Sequence, residues 1–171
     1  DEDLENVVQE LIDYQVDGIV TASVSMSSGL TDRCAKAGIP VVMFNRGQDG
    51  SGLSSVTSAN IAGGRQVAKF LVAGGHQRIA HIAGWSGSST GRDRALGFRQ
   101  GLEGAGHEVF AEIDGMYQRE VAQEAVRTLM AGAETPDAIF VGNDHMAFAV
   151  LDTLRSELGV SVPGEVSVVG Y

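Results

Sequence analysis

Arg78-Ile-Ala-His-Ile-Ala83, with the loop Gly84-Trp-Ser-Gly-Ser-Ser-Thr-Gly91 that follows it, decides how this chain folds. The first run is short and mostly apolar, which fits a buried strand better than a helix. The glycine- and serine-rich stretch after it breaks the strand. Ala95, Phe98 and Leu102 then recur at helical spacing until Gly106 closes the pattern. Strand, polar loop and helix form one unit, and the unit repeats outward in both directions.

Upstream, Leu4, Val7, Val8, Leu11 and Ile12 predict a helix, and Gly18 opens the strand Gly18-Ile-Val-Thr-Ala22. Leu30 and Cys34 mark a short helix that stops at Gly38. Pro40-Val-Val-Met-Phe44 and Ser54-Ser-Val-Thr-Ser58 read as strands. Asn60 fits the N-cap of a helix carrying Val67, Phe70 and Leu71, ended by Gly74-Gly75. Downstream, Val109-Phe-Ala-Glu-Ile113 leads to a helix on Val121, Ala125 and Leu129. Ala138-Ile-Phe-Val-Gly142 leads to a helix through Met146, Val150, Leu154 and Leu158, ended by Gly159, and Val166-Ser-Val-Val-Gly170 is the last strand. This alternation implies an α/β fold with parallel strands and helices on both faces of the sheet. A change of lobe is expected at Ser58–Ala59, giving parts 1–58 and 59–171. The chain opens in a helix with no strand before it and ends at the far edge of a strand, so it reads as the middle of a larger domain.

The chemically unusual residues fall in one kind of place. Asn45, the 84–91 loop, Asp114 to Tyr117 and Gly142-Asn-Asp-His145 each follow a strand. In a parallel sheet those loops share the carboxyl edge, where ligands bind.

Composition narrows the function. Hydrophobic residues make up 43% of the 171 and charged residues 20%, as in ordinary globular proteins. No apolar run is long enough to span a bilayer, so no membrane contact is expected. One cysteine, Cys34, excludes an internal disulfide and fits a small core position. Twelve basic residues against 22 acidic ones give a net charge of −10. Duplex binding needs clustered Lys and Arg, so this portion is not expected to bind DNA by itself.

Several motifs occur in order: Asp17-Gly-Ile-Val20, Ile39-Pro-Val-Val42, Gly63-Gly64-Arg65, Gly75-His-Gln-Arg-Ile-Ala80, Arg92-Asp-Arg94 with Gly97-Phe98, Asn143-Asp-His-Met-Ala147, and Val162-Pro-Gly-Glu-Val-Ser-Val-Val-Gly-Tyr171. Together they resemble the effector-binding core of the lactose-repressor/galactose-repressor (LacI/GalR) family of bacterial transcription regulators, over essentially the whole chain. The resemblance implies a two-lobed, periplasmic-binding-protein-like fold with a small-molecule effector in the cleft between the lobes. It implies a homodimer, and operator DNA bound through a domain not in this chain. It implies no enzymatic activity and no cofactor.

The resemblance also implies which residues bind. Arg94, the second arginine of the R-x-R run, would fork onto ligand oxygens, a task that suits a planar five-donor group. Asn45 stands where the family often has Asp; it both donates and accepts, and it equally fits a turn. Asn143 fits a ligand contact and the cap of the next helix, and one residue can serve both. Thr90 and Ser88 lie in the ligand-contacting loop. Tyr117 aligns with an aromatic that packs on ligand, and a ring face suits the C–H face of a sugar or the plane of a base. Trp85 is a platform or a lid, and His145 faces the cleft or caps the surface. A sugar or sugar derivative is the expected effector, with a nucleoside or purine second.

Other readings are weaker. Gly87-Ser-Ser-Thr-Gly91 spells the G-x-S-x-G of a serine hydrolase, but Ser89 lies well beyond the strand end, where an elbow nucleophile does not sit. No phosphate-binding glycine motif is present. The histidines at 76, 81, 107 and 145 lack ligand spacing, so no metal site is expected. His81 reads as a core or interface residue. The rival is a periplasmic sugar-binding protein of a transporter, which shares the lobes.

Overall fold

The computed structural model of the chain describes residues 2–171 apart from Ser25 and Asp49. It divides into two compact units, Asp1–Ser58 and Ala59–Tyr171.

In the first unit, α1 (Glu2–Asp13) precedes β1 (Ile19–Ala22), α2 (Ser28–Lys36), β2 (Val41–Phe44) and β3 (Ser54–Val56). The strands pair in parallel in the order β1-β2-β3. Strand alternation sends Ile19, Val41 and Met43 inward, and Val8, Leu30 and Cys34 from the two helices close over Ile19 and Val41. Ser27 caps α2 by accepting from the Leu30 N–H at 3.2 Å. The helices α1 and α2 lie on one face only. Val20, Phe44 and Val56 on the other face stay exposed, so the expectation of helices on both faces is not met among the described residues of this unit.

The second unit contains α3 (Asn60–Ala73), β4 (Ile79–Ala83), α4 (Ser89–Glu103), β5 (Ala111–Asp114), α5 (Arg119–Met130), β6 (Ala138–Val141), α6 (Asp144–Asp152), a π-helical turn (Thr153–Glu157) and β7 (Ser167–Val169). All strand pairs are parallel, in the order β5-β4-β6-β7. β4 and β6 are the central strands and every one of their residues is buried, as a sheet covered on both sides requires. Ile79, Phe140, Phe98, Leu71 and Leu102 pack on the side of α3 and α4. Ala80, Ile82, Ile139, Val126, Met146 and Val150 pack on the side of α5 and α6. A fully buried ring such as Phe98 or Phe140 contributes about 1.5–3 kcal/mol through the area it removes from water.

Helices α3 and α4 touch backbone to backbone. A Cβ on Gly97 would collide with the Ile61 carbonyl, and one on Gly101 would come within 2.6 Å of the Ala68 Cβ. Glycine here is required by proximity.

The structure corrects four details. Phe70 shares the helical spacing of Val67 and Leu71 but is 68% exposed, on the outer face of α3. In α5 the buried stripe is Ala122, Ala125, Val126 and Leu129, one position along from Val121. β5 starts at Ala111, two residues later than its apolar run suggests. Leu158 is 40% exposed because the π turn ahead of it winds more residues into one turn and rotates it off the stripe of Met146, Val150 and Leu154.

Candidate functional site

The carboxyl edge of the second sheet is built around Arg94. Helix α4 begins at the loop after β4 and is capped by Ser88, whose Oγ accepts from the Gly91 N–H at 3.1 Å and donates to the Trp85 carbonyl at 2.9 Å. Ser88 is thereby buried and used by the helix itself. One turn into α4, Thr90 and Arg94 stand four residues apart and so share a face.

Arg94 is half-buried and held from three sides. Its Nε donates to Asn60 Oδ1 at 2.9 Å, and its Nη1 donates to the Gly142 carbonyl at 2.6 Å. Its guanidinium carbon lies 3.9 Å from the centre of the Tyr171 ring, a cation–π contact. The two hydrogen bonds engage two of the five N–H donors, so the fork is oriented with three donors beyond them. Tyr171 is itself wedged, 6.3 Å from the Phe140 ring and against α3 at Gly63.

Tyr117 comes from the loop after β5, in the left-handed region at φ 57°. Its ring covers the Gly84 backbone, where a Cβ would collide with it, and its hydroxyl is 3.2 Å from Thr90 Oγ1. Thr90 is 4% exposed and also lies 3.2 Å from Ser88 Oγ. Asn143 follows the Gly142 carbonyl that holds Arg94. Its Oδ1 accepts from the Met146 N–H at 2.9 Å and caps α6, which leaves its amide nitrogen outside the cap.

Arg94, Thr90, Tyr117 and Asn143 therefore gather at one sheet edge. Trp85 sits on the same loop, its ring over Gly87. His145 is exposed in the first turn of α6. Asn45 belongs to the first unit, at the end of β2 with φ 71°, where its Nδ2 donates to Ser23 Oγ at 2.7 Å. Ser89 lies in the first turn of α4 after the Ser88 cap, away from the end of β4.

Two residues at the edge carried no ligand role in the sequence reading. Asn60 is not the cap of α3: Ala59 holds that position with no side-chain bond, and Asn60 turns its oxygen to Arg94 instead. Tyr171 was visible only as the end of a motif.

Below the edge, His81 on β4 is fully buried, its Nδ1 3.0 Å from Glu112 Oε2 on β5. Burial pushes its pKa down, against the opposing pull of Glu112. The hydrogen bond from His81, with Arg99 2.7 Å away on the other oxygen, holds the Glu112 carboxyl below its ordinary range in spite of partial burial. Among the described residues, no group of three or more His, Cys, Asp or Glu is placed to hold a metal ion. No helix of the described residues is long and apolar enough to cross a membrane.

A family profile described as a periplasmic binding protein domain matches residues 2–171. The HTH-type transcriptional regulator CelR of Thermobifida fusca is 37% identical over 167 residues, covering 94% of this chain and 48% of that protein. The HTH-type transcriptional repressor PurR of Photobacterium profundum is 33% identical over 164 residues, covering 94% and 49%. The chain thus spans about half the length of the curated relatives it matches. A solved complex of the regulator CelR with cellobiose superimposes with a TM-score of 0.86 at 34% identity, covering 98% of this chain and 52% of that one. The chain belongs to the periplasmic binding protein domain family, and these relatives within it are LacI-type transcriptional regulators.

Proposed function

We propose that this chain is the effector-binding part of a LacI-type transcriptional repressor, which takes a sugar or sugar derivative and couples its occupancy to operator affinity. The observation that carries the reading is the pinned guanidinium of Arg94, oriented by Asn60, Gly142 and Tyr171 with donors left over for a ligand. Tyr117 adds a ring and Thr90 a hydroxyl on one side, and Asn143 adds an amide on the other. Several donors around aromatic faces suit a polyol, whose hydroxyls accept and whose C–H faces stack. The likeness to a regulator solved with cellobiose supports the sugar class. A nucleoside or purine is the second class, through the same ring face.

Binding rather than catalysis is supported by the spent hydroxyl of Ser88 and by Ser89 sitting past the strand end. The net charge of −10 supports DNA contact through a separate domain. A homodimer working in the cytoplasm, where operators are, completes the proposal. A ligand with unequal affinity for two states of the regulator shifts operator affinity by that ratio.

A thermal-shift series on the purified protein with cellobiose, glucose, ribose and inosine tests the reading. A raised midpoint with a sugar, lost in Arg94→Ala, is the expected result. A rise with inosine alone moves the effector to the nucleoside class. No shift with any of the four, or a shift that survives in Arg94→Ala, overturns the sugar site at Arg94.

A further inference from the structure

Asn60 is 2% exposed and sits at the first turn of α3. The cap position before it belongs to Ala59, which makes no side-chain cap bond. Asn60 Oδ1 reaches across to α4 and accepts from Arg94 Nε. Its Nδ2 is buried with no hydrogen-bond partner among the described residues. A native protein rarely tolerates a buried unpaired amide, and such a group calls for a specific explanation.

We infer that Asn60 is an effector-site residue of this chain. Its oxygen fixes the roll of the Arg94 guanidinium, and its Nδ2 donates to a ligand oxygen beside that guanidinium. This rests on the sugar-site reading of Arg94. The cost of an unpaired amide in the free protein is then offset when a ligand acceptor arrives beside the Asn60–Arg94 pair. The geometry fits a ligand presenting two neighbouring oxygens, such as a vicinal diol, since two donor groups meet at the Asn60–Arg94 bond. Asn60 is also specificity-determining: the Arg94 fork donates to any anion or hydroxyl oxygen, whereas a short amide at fixed distance from it selects the spacing of the two acceptors.

Two variants separate the roles. Asn60→Asp keeps an acceptor for Arg94 Nε and removes the donor; Asn60→Ala removes both. The first measurement uses no ligand: hydrogen exchange of the Arg94 Nε–H by nitrogen-15 NMR, with circular dichroism confirming that each variant is folded. Protection is expected in the wild type and in Asn60→Asp, with loss in Asn60→Ala. Equal protection in all three overturns the orienting role, whatever the protein binds. The second measurement titrates the wild type and Asn60→Asp with cellobiose, glucose, ribose and inosine. A fall of about tenfold or more in affinity in Asn60→Asp, with Arg94 still protected, is the expected sign of the lost donor. Unchanged affinity overturns the donor role. If the wild type binds none of the four, the sugar-site reading of Arg94 fails and the donor role falls with it. The orienting role is still decided by the exchange measurement.

Discussion

The imidazole of His81 and the ring of Phe140 lie face to face at paired positions of β4 and β6, 4.7 Å apart and 4° from parallel. A titratable group thus forms part of the apolar layer beneath α4, with Phe98 tilted against it at 5.1 Å.

This arrangement predicts acid sensitivity. Burial lowers the His81 pKa in the folded protein. Below about pH 6.5 the unfolded chain therefore takes up a proton that the folded one declines. Stability from His81 is complete above that pH and is lost as pH falls toward the folded value, by at most about 1.4 kcal/mol per pH unit. Glu112 acts in the same direction at lower pH, since its folded pKa is also depressed. Urea midpoints measured from pH 7.5 to 5 are expected to fall in the wild type and to flatten in His81→Phe. A parallel fall in both proteins would assign the sensitivity elsewhere.

Gly97→Ala tests the seam between α3 and α4. The added methyl meets the Ile61 carbonyl, so the helices must separate, at about 1–3 kcal/mol. Because Asn60 and Arg94 bridge the same seam, effector binding is expected to weaken along with the denaturation midpoint. A variant as stable as wild type would show that the helices can part freely.

For Asn143, capping and ligand contact come apart by substitution. Asn143→Asp keeps the oxygen that accepts from Met146 N–H, whereas Asn143→Ala removes it, at about 1 kcal/mol. Loss of sugar affinity in both, with loss of stability only in the alanine variant, is the expected pattern. Full affinity in Asn143→Asp would reduce the residue to a cap.

Tyr117→Phe removes the hydroxyl near Thr90 while leaving the ring over Gly84. Stability is expected to drop by about 0.5–1.5 kcal/mol. Sugar affinity should be nearly kept if the ring face is what the ligand touches. A large loss of affinity would put the hydroxyl itself in the site.

Much of this was legible from the chain alone. The short apolar runs at 79–83 and 138–141 marked the two central strands because both of their faces are buried, which leaves no polar alternation to confuse the reading. The position of Arg94 followed from the order of the motifs. Spacing does not say which way a helix faces, so Phe70 and Leu71 looked equally inward until the packing separated them. Asn60 was legible as a helix start but not as a partner of Arg94, since the amide that caps a turn can equally reach across to another helix. Nor could local pattern pair His81 with Glu112, which depends on β4 lying beside β5 in register.

The partners that hold Arg94 also set when the site comes into being. Asn60 stands 34 residues before it and Gly142 48 residues after it, with Tyr171 further still. During synthesis α4 emerges with only the earliest of these contacts available, and the guanidinium is fully seated once β6 and the strand leading to Tyr171 have joined the sheet. A chain cut between α4 and β6 would therefore carry Arg94 and Asn60 without the Gly142 carbonyl and the Tyr171 ring, and its guanidinium would swing about a single anchor.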